Sequence, residues 1–562
     1  MYNIAPAGAP ARGWHLFVPK LVSALNEGYG ARDLRADVFA GLTVAIVALP
    51  LSMALAIASG VAPERGLFTA VVAGLVISAL GGSRHQIGGP TGAFVVVVFN
   101  IVQSHGYDGL VATMILAGAM LIAAGLLRLG TFIKYVPYPV VTGFTSGIAV
   151  IIFSSQIGDM LGLRLVHVPG DVPGKWLAYF GALRSFNPAA FGVTLGSLGL
   201  IVAMRRFAPR LPMFLIAIAA ASLAVLVFHL PVETIGTRFG GVPSMLPAPH
   251  WPSIGFREAR DLLPPAFTIF ALGGIESLLS AVVADGMTGR RHRSNLELVA
   301  QGLANIASAT MGGIPATGAI ARTATNIRSG ARSPVAGIVH SLAIAAMMML
   351  FAPYASFIPL AALGAILLIV CWNMAEIGAF RIILAGPAGD RAVLFGTFAL
   401  TIFVDLSFAI MAGMVAAAFL FMHRMARAVE AEMQLPLIQK DVDEFALPNK
   451  TLVPRESLPP GVEAFQLNGP FFFGAAAHFE QVLARAGGKP RTIILNMEGV
   501  PLIDVTGAAI LRKFLDVSRG NGIRVVLAGL KPGPASVLDA TGIRAERAPN
   551  FAEAIAMIVP PP

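Results

Sequence analysis

Long apolar segments, separated by short runs of glycine, proline and charged residues, recur from residue 38 to residue 422 of this 562-residue chain. Several of these segments reach about 20 residues, the length that a helix needs to cross the hydrocarbon core of a bilayer. A helix satisfies its backbone hydrogen bonds internally, so such a segment is stable in lipid. The pattern predicts about fourteen transmembrane segments, several of them shorter than a full span.

Composition and loop charge support a membrane protein. The chain is 56% hydrophobic and 12% charged, with a mean hydropathy of +0.75, unlike an average soluble domain. If the N-terminus is cytoplasmic, the predicted cytoplasmic loops receive most of the basic residues between spans, as the positive-inside rule requires. These residues are Arg84, Arg128, Lys134, Arg205, Arg206, Arg210, Arg290, Arg291, Arg293, Arg328, Arg332 and Arg381.

This distribution predicts a multi-pass protein of the cell (inner or plasma) membrane with both termini in the cytoplasm. The net charge of +10 then reflects topology and does not indicate a nucleic-acid partner. The single cysteine, Cys371, excludes an internal disulfide and a cysteine-based metal cluster.

The composition becomes that of a soluble protein after Arg427. We predict a cytoplasmic segment (1–36), a transmembrane domain (37–424), a linker (425–456) and a small α/β domain (457–562). Strands are expected at 461–473, 491–497 and 524–530, with helices at 478–485 and 505–515. This domain has no phosphate-binding loop, nucleophile elbow or metal-ligand spacing, so the protein is not expected to be an enzyme or to hold a cofactor.

Two short strings in the apolar region repeat the sequence Thr-Gly-Ala. They are GGPTGA (88–93) and GGIPATGA (312–319), in which Thr317 lies 226 positions after Thr91. The same offset superposes the segment around Pro50 on that around Glu276, which argues against a chance recurrence, although the register fails beyond the fifth segment. Seven spans per half would invert the second copy, as is typical of secondary transporters.

Each string also predicts a helix that begins inside the membrane. A proline precedes a short apolar run in both copies, at 94–98 and 320–324, and proline favours a helix start. The unpaired N–H groups and positive dipole ends of two facing half-helices would form an anion site. Gly92 and Gly318 would let a ligand approach the backbone closely.

Two charged residues lie deep within the predicted membrane segments, where charge is unexpected. Glu276 is central in its span, where a carboxyl costs roughly 2.5–3.5 kcal/mol, and Ser280 lies one turn further on the same face. Glu276 could bind sodium or take up a proton, and burial favours the uncharged form and therefore the proton. The alternative is a structural ion pair with Arg322. Arg322 itself could add charge to the anion site or extend to the membrane surface.

The residues resemble the SulP (sulfate permease) family of anion transporters. The resemblance is carried by APERGLF (62–68), GGSRHQIGGPT (81–91) and the stretch from Glu276 to Asn326. The tail sequence IDVTG (503–507) is similar to the loop of STAS domains, with Asp504 and Thr506 at regulatory positions. The resemblance covers residues 35–558.

The resemblance implies an α-helical fold of 7+7 inverted-repeat helices, divided into core and gate, with a cytoplasmic STAS domain, usually in a homodimer. It also implies that substrate lies between the third and tenth helices. The residues implied at this site are Thr91, Gly92, Ala93, Phe94, Gly318, Ala319 and Ile320. Sodium-coupled bicarbonate relatives use an acid and a hydroxyl that match Glu276 and Ser280. Here the acid is Glu instead of Asp and Ile320 lacks the expected hydroxyl, so a proton is favoured over sodium.

We therefore expect a secondary active transporter of a small anion, in the sulfate, C4-dicarboxylate or bicarbonate class. It would be proton-coupled and work by an elevator-type movement of the core. The alternatives are an uncoupled anion channel, an anion exchanger or a sodium-coupled bicarbonate symporter. A cytosolic protein partner at the STAS domain is a further expectation, because a serine that is phosphorylated in other STAS domains is replaced here by Val505 or Thr506.

Overall fold

The computed structural model describes residues 17–131, 137–165, 168–208, 211–252, 260–404, 406–433, 438–439, 453–454, 459–471 and 490–558. The chain divides into two compact units, one ending at Val415 and one beginning at Ala416. The boundaries expected at residues 36, 424 and 456 remain predictions.

The first unit is built almost entirely from helices. In chain order its elements are α1 (Lys20–Asn26), α2 (Ala31–Ala58), α3 (Pro63–Leu80), β1 (Gly88–Gly89), α4 (Val95–Leu126), α5 (Tyr138–Leu161), α6 (Val172–Ala182), α7 (Pro188–Phe207), α8 (Met213–Phe228), α9 (Ile235–Phe239), α10 (Leu263–Thr288), α11 (Ser294–Thr310), β2 (Thr317–Gly318), α12 (Ile320–Arg328), α13 (Val335–Ala355), α14 (Leu360–Met374), α15 (Ile377–Leu384), α16 (Ala388–Phe403) and α17 (Leu406–Met433). The last helix continues across the boundary into the second unit.

Helix length and composition agree with a membrane protein. Nine helical segments among the described residues are long and apolar enough to cross a bilayer, and α8 is a shorter apolar helix. Helix α4 contains a break at Gly106, whose φ of 67° is accessible to glycine at little cost. An α-helical membrane protein is confirmed, while the total of about fourteen segments stays a prediction.

The two halves of the first unit repeat the same order of elements. The offset of 226 residues carries α2 onto α10, α3 onto α11, the start of α4 onto α12 and the second part of α4 onto α13. Packing is reciprocal, because α2 and α3 contact α13 whereas α10 and α11 contact α4. Reciprocal contacts of this kind are what a two-fold relation between the halves produces, which supports the predicted repeat.

The second unit contains a four-stranded parallel sheet covered on both faces. Its elements are β5 (Val462–Asn468), β6 (Thr492–Gly499), α18 (Val505–Gly520), β7 (Arg524–Ala528), α19 (Pro532–Ala540), β8 (Glu546–Ala548) and α20 (Phe551–Ala556), after the short pair β3 (Ile438–Gln439) and β4 (Val453–Pro454). The strand order is β5-β6-β7-β8. Alternate residues of β6, such as Ile493 and Ile494, enter two separate apolar clusters, as a sheet buried on both faces requires.

The small α/β domain expected from the sequence is therefore confirmed. The strand expected at 461–473 is observed from Val462 to Asn468. The helix expected from residue 505 begins there and extends five residues further than predicted, to Gly520. The helix expected at 478–485 lies outside the described residues.

Candidate functional site

The two broken segments meet through a short antiparallel pairing. Gly88 pairs with Gly318 and Gly89 with Thr317. The pairing continues on one side, where the Ala319 N–H donates to the Ile87 carbonyl over 2.9 Å. Residues from both halves of the chain are thereby fixed at one point, as the two Thr-Gly-Ala strings predicted.

A helix begins on each side of this pairing. A 3₁₀ turn from Gly92 to Phe94 leads into α4, and α12 begins at Ile320. Neither start has a side-chain hydrogen bond at its cap residue. At the first start, the Phe94 and Val95 N–H groups donate to the Thr91 and Gly92 carbonyls within the 3₁₀ turn. The predicted substrate residues lie at these two starts, and Ile320 is more exposed than the others.

Glu276 lies halfway along α10 and contacts the first of the two helix starts. Its Oε2 accepts a hydrogen bond from the Thr91 hydroxyl over 2.9 Å. Among the described residues neither Glu276 nor Arg322 belongs to an ion pair, so the structural pair that the sequence offered as an alternative is not observed. Thr91 and Glu276, predicted separately as a substrate and a coupling residue, are direct neighbours.

Arg322 is buried in the first turn of α12, with 4% of its surface exposed. It does not extend to the protein surface, which favours a place near the candidate site over the alternative at the membrane surface. Its Nη2 donates to the Ser52 hydroxyl over 3.4 Å, while Nε and Nη1 find no partner among the described residues. Nη1 lies 2.4 Å from the position that a Cβ on Gly89 would take, so the guanidinium contacts the backbone beside the pairing.

Ser280 does not form a hydrogen bond with Glu276. It is fully buried, and its hydroxyl donates to Thr323 Oγ1 over 3.2 Å. Thr323 Oγ1 also accepts from the Ile87 N–H over 3.1 Å. Ser280 therefore links α10 to α12, and Thr323 extends this link to the residue before β1. The role of Ser280 towards a coupling ion stays a prediction.

Residues that the sequence did not single out complete this network. The Ser277 hydroxyl lies 2.5 Å from Thr317 Oγ1 and accepts from the Gly318 N–H over 3.2 Å. Gln86 donates from Nε2 to the Ser277 carbonyl over 3.2 Å. Ser277 adjoins Glu276 in the sequence, whereas Gln86 lies five positions before Thr91 and carried no comparable signal.

The space beside Gly318 is filled by protein. A Cβ at position 318 would lie 1.5 Å from Gln86 Nε2, and one at Gly92 would lie 2.6 Å from Met374 Sδ. We expected both glycines to admit a ligand to the backbone. On the side of each glycine where a Cβ would lie, this expectation is wrong, because the side chains of Gln86 and Met374 already occupy the space.

Metal ligation has no support in the described part of the chain. No group of three or more His, Cys, Asp and Glu residues there is arranged to hold a metal ion. The network around the pairing consists instead of hydroxyls, an amide, a carboxyl and a guanidinium. Together with two helix starts, this set can bind an anion and exchange a proton.

The predicted regulatory residues lie at the start of α18. Asp504 accepts a hydrogen bond from the Gly507 N–H over 2.6 Å and so caps the helix. Thr506 is exposed in the first turn. The structure assigns Asp504 a capping contact, and the regulatory roles of both residues stay predictions.

Together, the broken helices that meet within a helical membrane unit and the separate α/β unit define a membrane transporter of the inverted-repeat class. The sulfate permease family model matches residues 34–397, and a STAS domain matches residues 458–554. The chain belongs to the sulfate permease family and is an anion transporter, not an enzyme.

Similar proteins span nearly the whole chain. YvdB of Bacillus subtilis (strain 168) is 40% identical over 522 residues, covering 92% of this chain and 95% of that protein. The bicarbonate transporter BicA of Picosynechococcus sp. (strain ATCC 27264 / PCC 7002 / PR-6) is 30% identical over 519 residues, with 89% of each chain covered. The structure of murine Slc26a9 has the same fold, with a TM-score of 0.84 at 18% identity over 99% of this chain and 96% of that one.

Proposed function

We propose that this protein is a proton-coupled secondary transporter that binds a small anion between the starts of α4 and α12. The observation that carries the proposal is the Thr91–Glu276 hydrogen bond. It joins a carboxyl that can change its charge to the start of a half-helix whose N–H groups favour an anion. A proton site and an anion site are then in direct contact.

The electrostatics of these neighbours explain the coupling. A substrate anion at the start of α4 would be repelled by an ionised Glu276 and attracted by Arg322. Protonation of Glu276 removes the repulsion and leaves the attraction, because an opposite charge stabilises an ion whereas a like charge destabilises it. Anion and proton would therefore bind together and be released together.

The substrate would be sulfate, a C4-dicarboxylate or bicarbonate. The family description names sulfate, and one relative is a bicarbonate transporter. Helix N–H groups and a guanidinium recognise charge and size, which these anions share. Sodium coupling has less support, because Ile320 offers no hydroxyl and the Ser280 hydroxyl is engaged with Thr323.

Movement of the site would be of the elevator type. Both termini of the chain would lie in the cytoplasm. The β1–β2 pairing holds the two half-helix starts together, and α10 is bonded to both through Glu276 and Ser277. A site built this way moves as one body against α5 to α8 and α14 to α17. The bound anion would then be exposed to each side of the membrane in turn.

The test is uptake of labelled sulfate, succinate and bicarbonate into proteoliposomes at two external pH values. A proton symporter given a gradient of one pH unit should accumulate its substrate up to about tenfold. Glu276→Gln should keep anion binding and lose this pH-driven accumulation. Thr91→Val, which removes the hydrogen bond alone, should weaken the pH dependence without abolishing it.

Glu376→Gln is the matched control, because Glu376 lies at the start of α15 and makes no capping hydrogen bond. It should transport like the parent protein. Normal pH dependence in Glu276→Gln would refute the coupling role of that residue. Uptake that follows a sodium gradient, or a current that ignores the pH gradient, would refute proton coupling itself.

A further inference from the structure

Helix α6 buries a lysine that the proposed mechanism does not use. The helix follows α5 and presents three buried residues at helical spacing, Val172, Lys175 and Tyr179. Lys175 is 3% exposed. Lysine is rarely buried to this extent without a charged partner, because removing an ammonium from water is costly.

No carboxylate among the described residues forms an ion pair with Lys175. The nearest acid in sequence, Asp171, accepts a hydrogen bond from the Gly174 N–H over 2.7 Å and caps α6. Burial lowers the pKa of the Lys175 ammonium, and the Asp171 charge opposes this shift. The contact that the ammonium does make is with an aromatic face, since Nζ lies 5.0 Å from the centroid of the Phe99 ring.

Phe99 places Lys175 beside the half-helix that begins at the candidate site. It lies on the half-helix that begins at the site, five residues after Phe94 and before the break at Gly106. At 1.5 Å per residue, it is about 7.5 Å further along that helix. A second contact nearby confirms that this region approaches α4, since Asn100 Oδ1 lies 3.8 Å from the Cβ position of Gly170.

Lys175 therefore faces the half-helix from the opposite body. Helix α6 packs on α5, which belongs to the part that the half-helices would move against. Other basic residues in this region are placed differently. Arg238 forms ion pairs with Asp159 and Glu233, and Arg184 is exposed.

We propose that Lys175 forms an outer access site, which receives a sulfate-like or carboxylate anion before it reaches the half-helices. The inference rests on the proposed function and on the orientation that makes the end of the first half-helix extracellular. The ammonium stands on a flexible four-carbon stem, so it can leave the Phe99 ring and contact an anion. The ring stabilises the ammonium while no anion is present.

Affinity measured separately on the two sides of the membrane tests this assignment. Uptake by cells expressing the chain reports the outer side, and uptake by inverted vesicles from the same cells reports the inner side. The probes are labelled sulfate, succinate and bicarbonate. Lys175→Met should raise the outer KM roughly tenfold, with the inner KM and the maximal rate unchanged.

Arg184→Met removes an exposed basic residue from the turn after α6 and is the matched control. Its outer KM should equal that of the parent. Lys175→Arg should retain most of the outer affinity, and Lys175→Gln should repeat the loss if the Met variant does not reach the membrane.

Three results would overturn the assignment or its basis. An outer KM that is unchanged in both the Met and the Gln variants refutes the access site. A changed maximal rate with an unchanged KM shows that Lys175 only holds Phe99. A parent chain that takes up none of the three anions refutes the proposed function instead.

Discussion

Gly318 and Gln86 provide a direct test of how the candidate site is held together. Substituting Gly318→Ala places a methyl group 1.5 Å from Gln86 Nε2 and 2.4 Å from Gln86 Cδ. The amide must move, and it then loses its hydrogen bond to the Ser277 carbonyl. Because Gly318 pairs with Gly88, the strand cannot easily shift to make room.

The expected cost follows from these two effects. Overpacking a buried position costs about 1–3 kcal/mol, and losing a buried hydrogen bond adds about 1 kcal/mol. The variant should therefore be less stable by roughly 2–4 kcal/mol and should transport poorly. In the double variant with Gln86→Ala the clash is absent, so stability should recover by about 1–3 kcal/mol relative to Gly318→Ala.

Thermal unfolding in detergent, with uptake measured on the same preparations, provides the assay. Gly192→Ala is a suitable control, because no atom lies within 4 Å of its Cβ position, and it should behave like the parent. The reasoning fails if Gly318→Ala is as stable as the parent. It also fails if Gln86→Ala does not recover the loss, because the clash would then not be the cause.

Two further predictions concern helices α1 and α18. The hydrogen bond from Arg84 holds the pKa of Glu27 below its ordinary value of 4.5. This contact therefore stabilises the docking of α1 at neutral pH. The stabilisation is lost as the pH falls through the lowered pKa of Glu27. Hydrogen exchange of the Lys20–Asn26 amides should therefore accelerate only in acid, and equal rates at pH 7 and in acid after correction for intrinsic exchange would contradict this. Asp504→Ala should destabilise the first turn of α18 by about 1 kcal/mol, seen as faster exchange of the Gly507 amide, whereas an unchanged amide would show that the capping contact is not stabilising.

The sequence predicted the candidate site where local chemistry was decisive. Glycine and proline interrupt an apolar segment visibly, so the breaks around Thr91 and Gly318 could be located. A carboxyl in the middle of a span is costly enough to be conspicuous, which identified Glu276. The parallel sheet of the second unit was likewise predictable from its alternating strands and helices.

Contacts between distant segments could not be predicted in this way. Whether Arg322 is buried depends on whether Gly89 leaves room for its guanidinium. Nothing in the local sequence indicated that Gln86 would fill the space at Gly318. His85 lies in the loop between α3 and β1 and is 6% exposed, because residues of the second half, such as Asn326, cover this loop. Each of these outcomes is decided by residues more than 200 positions away.

The β1–β2 pairing also bears on how the protein is made. Gly88 and Gly89 have their partners in Thr317 and Gly318, so the ribosome must add about 230 residues after the first strand before the second exists. At 5–20 residues per second, that interval is roughly 10–50 s. Throughout it, the first half of the chain resides in the bilayer with a polar backbone segment that lacks its partner. Biosynthesis therefore completes the candidate site late, and a chain truncated before residue 317 would lack the partner of its first strand.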